Sequence, residues 1–589
     1  MSSLPARSDI APEYRWDRSL VFADDDAWES AFEALDARVE STEPVDDSVV
    51  SDGQTLRDAL DLREELLRER GPLWLYPQLR LLVDTDDEAA ESRRQRARDL
   101  RGRIDGLFSG LEPAIQQAGR ERIEGLVAET PGLAPYEHFL DDVLRQADHT
   151  LSPAEESLLA DLDETLDAPS RVLERIDSTA VEPRTVTVEG DEVTVTGQSF
   201  GRLLSHPGRE VRKRVHHAYR GALAEHRVAT AQAYAEHLRA ADARAGVRNY
   251  DSAIDMATDD LPTEVHEALS EAVLEHYEPF ERRLEYIRQD LDGDDLHNWD
   301  RAAPLVAGEG PEIPYEEGVE HVLAAVEPLG SDYRDRLAEI LDQRRVDVYE
   351  TQEKRGIVAA AFGSYEVGSF VHLNYADDLW SLLFFAHELG HVMHKEHFDA
   401  AQPTTYQSYP DHVAEIASFC HEALLVRHLL DTFADERDRL HLLDTFTRKL
   451  PMLAAARGMT FVRQLFADIE AGETLTADHI DARNLETMRR FYPDVSFEEA
   501  DATLWMSQNL DREPCHAYWY LLGSAGGLAT ARRLLDGDLA PGAYRDFLRA
   551  GSSEYAMDLL GRLDLSVRDG GVVATGLREY GDYLDALTE

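Results

Sequence analysis

The sequence predicts a mainly α-helical protein with a small β element set beside one histidine-bearing helix. Apolar residues recur at spacings of three and four over most of the 589 residues, which is the mark of amphipathic helices. That period breaks only twice, and the second break lies just before the segment HELGH. A chain of this length has room for two or three cores, or for one large enzyme with an appended lobe.

Taken in order, Trp16 to about Ala180 reads as helix, as in WESAFEALDARV and AEESLLADLDETL. In PRTVTVEGDEVTVTG the period becomes two: Val186 and Val188 alternate with threonine, Gly190-Asp191 offers a turn, and Val193 and Val195 alternate again. A hairpin is expected there, and with it the end of an N-terminal helical lobe, residues 1–198; residues 199–589 form the second domain. Helical stretches follow to about Gln343. RGIVAAAFGSYEVGSFVHLNY then reads as two short strands joined by a loop. No repeat of fixed period and no low-complexity tract interrupts the chain.

Acidic side chains number 116 against 60 basic ones, a formal charge of -56, and lysine occurs only at Lys213, Lys354, Lys395 and Lys449. The carboxylates are spread along the whole chain rather than gathered in a tail. Such a balance fits adaptation to very high salt, where repulsion is screened within about 3 Å at 1 M. It argues against nucleic acid as a partner, because polyanion binding needs a basic stripe and none is visible. Two cysteines, Cys420 and Cys515, cannot build a disulfide framework, so a reducing cytoplasm is expected. The opening residues MSSLPARSDIAPEYRW lack the apolar core of a signal peptide, and no stretch approaches 18 uncharged apolar residues. Neither export by that route nor a membrane span is expected.

In DDLWSLLFFAHELGHVMHKEHF, the residues Leu379, Leu382, Leu383, Ala386, Leu389 and Met393 trace one apolar face, so HELGH lies within a helix at about 377–398. Four residues apart, His387 and His391 share a side of that helix, about 6 Å apart along the axis, and both can reach one metal ion. Glu388, about 100° further round, can approach a water on that metal without ligating, as a general base does. A third ligand is needed. On a continuing helix His394 lies about 10 Å and His397 about 15 Å along the axis from His387, too far to share its metal. Glu415 is the better candidate. It stands in YPDHVAEIASFCHEALLVRHLL, where Asp411 can cap a second helix with Val413, Ile416, Cys420, Ala423 and Leu424 on one face. Packed against the first helix, that element can bring Glu415 to the two histidines and leave a fourth coordination place open. Two turns on, Glu422 is placed to hydrogen-bond a ligating histidine.

These residues resemble the thimet oligopeptidase family, in its oligoendopeptidase F branch. YRWDRSLVFADDDAWESAFEAL is similar to the opening of that branch, REVRKRVHHAYRGAL and VRNYDSAIDMA to two of its helical blocks, and KRGIVAAAF, FVHLNY, HELGHVMH and YQSYPDHVAEIAS follow in the family's order. The resemblance covers nearly the whole chain. It implies a helical two-lobed clamshell with a deep channel, of the zincin-like kind whose third ligand is a glutamate, here Glu415. It implies one zinc ion per chain, short peptides as substrates, and hydrolysis within the peptide. It also implies a strand edge to which an extended peptide adds, a position to which Gly363, Ser364 and Tyr365 correspond. The family's oxyanion-stabilising histidine and tyrosines correspond to His516 with Tyr518 or Tyr520 in PCHAYWYLLGSAGG, although here Cys515 separates the proline from the histidine. Two other readings share these residues: a metallocarboxypeptidase or dipeptidase on the same zinc site, and a peptide-binding protein without turnover.

Overall fold

A computed structural model describes residues 4–176, 181–289, 291, 295–408, 410–507 and 515–588. Helices dominate, with a two-stranded and a three-stranded sheet among the described residues. The chain divides into two compact units, one formed by Met1–Asp148, Glu312–His428 and Arg533–Leu563, the other by His149–Pro311, Leu429–Arg532 and Asp564–Glu589.

In the first unit, α1 (Asp25–Ser41), α2 (Gly53–Val83) and α3 (Glu88–Leu107) enclose an apolar cluster that includes Trp28, Leu35, Leu56, Leu60, Leu100 and Ile104. Local chemistry fixes where α2 begins: the Asp52 carboxylate accepts from the backbone N–H groups of Gln54 and Thr55, satisfying donors that a helix start leaves orphaned. Further along α2, Leu75, Leu79, Leu82 and Val83 join Trp16 and Phe370 in a second cluster, which anchors the sheet to this helix.

That sheet holds β1 (Val346–Tyr349), β2 (Ala359–Ser364) and β3 (Gly368–Tyr375), in the order β1-β3-β2. β2 and β3 are the two short strands expected, and they pair antiparallel, in register from Ala359 opposite Leu373 to Ser364 opposite Gly368. β1, which runs parallel to β3, is absent from the sequence reading. Four residues are too few for period two to stand out, and the buried Asp347 at its centre does not look like a strand interior. Asp347 is accommodated because Arg7 forks onto both its oxygens and Lys354 pairs with it at 3.1 Å. Burial pushes the Asp347 carboxyl up, yet those two cations hold it below the usual range, while burial pulls the Lys354 ammonium down to about 8.

After β3 the chain turns into α4 (Leu379–Ala401), whose start is capped by Asp378 accepting from the Ser381 N–H at 2.8 Å. α4 continues unbroken past His397, the condition under which His394 and His397 lie too far along the axis to share the metal of His387. A short turn at Asp411–Val413 then leads into α5 (Ala414–Thr432). The side chain of Asp411, expected as the cap, lies outside the described residues.

The second unit contains the expected hairpin, Arg184–Val188 paired antiparallel with Asp191–Val195; its turn is Glu189-Gly190, both at positive φ, one residue earlier than the Gly190-Asp191 expected, because Asp191 pairs with Val188. Its apolar core gathers Tyr234, Leu238, Phe461, Leu465, Trp505, Cys515 and Tyr518. Cys420 and Cys515 are both buried and neither is in a disulfide, and no described helix is long and apolar enough to cross a membrane.

Candidate metal centre

α4 and α5 approach unusually closely, and Gly390, the glycine of HELGH, permits it. A Cβ at Gly390 would sit 2.5 Å from the Ser418 Cα and 2.6 Å from the Ala417 carbonyl oxygen. With hydrogen in that place, the start of α5 lies directly on the histidine-bearing turn of α4. The result is convergence: the Glu415 carboxylate lies 3.1 Å from His387 Nε2 and 3.4 Å from His391 Nε2. One donor atom from each of the three lies within 4.8 Å of the others, and among the described residues this is the group of that kind.

Two of the three donors, His387 and Glu415, are held from behind. His387 Nδ1 is 2.6 Å from Glu422 Oε1, a fully buried carboxylate, so Nε2 faces Glu415. Phe419 presents its ring edge-on to His387 at 5.2 Å. The Ser418 hydroxyl oxygen lies 2.8 Å from both Glu415 Oε2 and the Glu415 backbone carbonyl oxygen, so its one proton is shared between these two acceptors. Ser418 is absent from the sequence reading; the signal for it is the serine three residues after the glutamate in AEIAS, one helical turn away. Burial pulls the His387 imidazole down, but Glu415 and Glu422 together push it up to about 10. Burial likewise raises Glu415, and His391 and His387 draw it well below the usual carboxylate range. Two imidazole nitrogens and a carboxylate oxygen form a donor set suited to a divalent zinc-type cation.

The other histidines of α4 are occupied elsewhere. His397 Nδ1 is 2.7 Å from the Met393 carbonyl and its ring packs on Tyr333, while His394 is buried against Phe398 and Phe547. Glu388 is buried one residue after His387.

Gly363 and Ser364 end β2, an edge strand of the sheet. A Cβ at Gly363 would meet the Lys395 stem at 2.8 Å, so this strand end rests on α4 one turn beyond His391. Ser364 is buried against Gly71 of α2. Tyr365 donates its hydroxyl to the Gln402 carbonyl at 3.0 Å and carries the Arg68 guanidinium over its ring. His516, Tyr518 and Tyr520 belong to the second unit, and Pro514 lies outside the described residues. Tyr518 is wholly buried with its ring against His266, and burial drives its phenol up; His516 and Tyr520 are half-buried.

Residues 202–568 match Peptidase family M3, and residues 115–181 match its N-terminal part, described as Oligopeptidase F. Oligopeptidase PepF of Bacillus subtilis is 26% identical over 601 residues, covering 100% of this chain and 89% of the relative. Group B oligopeptidase PepB of Streptococcus agalactiae is 27% identical, with 99% and 98% covered. The crystal structure of oligoendopeptidase-F from Enterococcus faecium superimposes with a TM-score of 0.70 at 21% identity, over 96% of this chain and 98% of that one. The chain belongs to peptidase family M3. It is an enzyme of the metalloendopeptidase class.

Proposed function

We propose that this chain is a zinc-dependent oligoendopeptidase, with one zinc ion held by His387, His391 and Glu415. The observation that carries the reading is the convergence of those three donors within 4.8 Å, with Glu422 fixing His387 and Ser418 fixing Glu415. Zinc in that place supplies Lewis acidity towards water and towards the scissile carbonyl. The remaining work falls to the protein. Glu388, adjacent to a ligand but outside the donor set, accepts a proton from the attacking water on a carboxylate oxygen and returns it to the leaving amine nitrogen. Glu422 accepts from His387 Nδ1 and thereby keeps Nε2 free to ligate. The outer edge of β2, ending at Gly363, offers main-chain groups to an extended peptide; Ser364 and Tyr365 anchor that edge to α2 and to the segment after α4. Hydrogen bonds to the developing oxyanion we assign to His516 and Tyr520, on the family resemblance of PCHAYWY. Tyr518 shares that resemblance, but its burial favours core packing. Short peptides are the substrates, in keeping with the oligopeptidase names of the relatives. The two buried cysteines, neither of them in a disulfide, support a cytoplasmic site of action.

Metal analysis of the purified protein, paired with cleavage mapping on an internally quenched peptide of about ten residues blocked at both ends, tests the proposal. One zinc per chain and an internal cut are expected. A metal content of zero after zinc loading, or cleavage confined to peptides with a free terminus, would overturn it.

A further inference from the structure

The metal-ligand stripe of α4 continues towards the start of the helix as an aromatic rib. At 100° per residue, Trp380, Phe384, His387 and His391 fall within about 60° of one another around the axis. The rings follow in succession, with centroids 5.3 Å apart from Trp380 to Phe384, 6.3 Å from Phe384 to His387 and 5.0 Å from His387 to His391. Nearly every other large apolar side chain of this helix is buried: Leu379, Leu382, Leu383, Phe385, Leu389, Val392, Met393 and Phe398. Trp380 is 41% exposed and Phe384 half-buried, so the helix leaves apolar surface uncovered on the one stripe that also carries the histidines. A tryptophan held in water beside a catalytic centre forgoes burial worth having, and the chain's excess of carboxylates leaves polar residues in ample supply for that place.

Resting on the oligoendopeptidase reading, we propose that Trp380 and Phe384 form a specificity subsite that takes an apolar, preferably aromatic, side chain of the substrate peptide close to the scissile bond. Spacing sets how close. With a rise of 1.5 Å per residue, Phe384 stands about 4.5 Å and Trp380 about 10 Å before His387 along the helix. An extended peptide advances about 3.3 Å per residue, so the side chain received is one to three residues from the bond that is cut. The occupant is the substrate itself, because the rib is continuous with the metal ligands rather than set apart from them.

The test uses zinc-loaded, full-length enzyme and a set of doubly blocked decapeptides that differ only in one residue, phenylalanine, leucine, alanine or aspartate, placed in turn at each of three positions on either side of the cleaved bond. At one of these positions the wild type is expected to favour phenylalanine over alanine by ten-fold or more in kcat/KM, a range that apolar pockets reach. In Trp380→Ala that ratio should fall about ten-fold, and Trp380→Phe should restore most of it. A wild-type ratio near one at every position, or a ratio that Trp380→Ala leaves intact, overturns the subsite while leaving the peptidase reading in place. Failure of the zinc-loaded wild type to cut any peptide of the set overturns both.

Discussion

Glu388 and Glu422 are both buried carboxylates next to the same histidine, yet they are set different tasks. Glu422 is hydrogen-bonded to His387, so its work is done before any substrate arrives. Removing it as Glu422→Ala frees the imidazole to turn and leaves its Nδ1 without that acceptor; zinc affinity should fall about 10–100-fold, as read by competition with a chromogenic chelator. Glu388→Gln is expected to do the reverse. It keeps shape and metal but loses the proton acceptor, so kcat should drop about 10²–10⁴-fold while zinc stoichiometry stays at one per chain. A variant that kept full activity would remove Glu388 from the mechanism. At this scale the sequence was informative wherever helix period fixes direction: His387 to His391, and Glu415 to Glu422, each share a face by arithmetic alone. It was silent on Ser418 and on the aromatic rib, because whether a hydroxyl meets a carboxylate, or a tryptophan meets water, depends on what another element covers.

The second scale is that of α4, α5 and the sheet, where close approach decides function. Gly390 had no assigned reason in the sequence beyond completing HELGH, and the reason is steric. Gly390→Ala places a methyl group 2.5 Å from the α5 backbone, where no flexible side chain can give way. Separation of the helices should cost about 1–3 kcal/mol, lower the melting temperature, and weaken zinc binding together with stability, in contrast to Glu422→Ala. β1 was illegible for a related reason, since the buried Asp347 is tolerable only with Arg7 and Lys354 beside it and those lie far away in sequence or beyond a turn. Its titration carries a sign. The folded pKa of Asp347 is depressed, so its contribution is present above the unfolded value near 3.8 and is lost as pH falls through the lower folded value. Lys354, at about 8 against 10.5 unfolded, releases its proton earlier when folded, so its own contribution to stability rises between those two values. Asp347→Asn should therefore destabilise at pH 7 by about 3–5 kcal/mol, the loss expected when a buried pair is broken, and the gap to wild type should close below pH 3.8 in thermal melts.

On the scale of the whole molecule, the formal charge of -56 acts through solvent rather than through any one contact. Many arginines are paired with carboxylates, for example Arg93 with Asp25 and Glu29, but acidic groups outnumber basic ones nearly two to one and most must face water. Their mutual repulsion opposes the folded state and is screened over about 10 Å at 0.1 M salt but about 3 Å at 1 M. The melting temperature should accordingly rise with sodium chloride between those concentrations, a trend followed by circular dichroism. Substrate capture draws on the same field. Acidic peptides approaching a polyanion are slowed and basic ones hastened, by factors that fall away as salt is added. With paired decapeptides that carry lysine or aspartate only at their ends, remote from the cut, the ratio of kcat/KM should favour the basic peptide at low salt and converge towards one at 2 M. Stability gained without that convergence would mean that the charge is remote from the path the substrate takes; the two trends moving together would tie the acidic surface to catalysis as well as to folding.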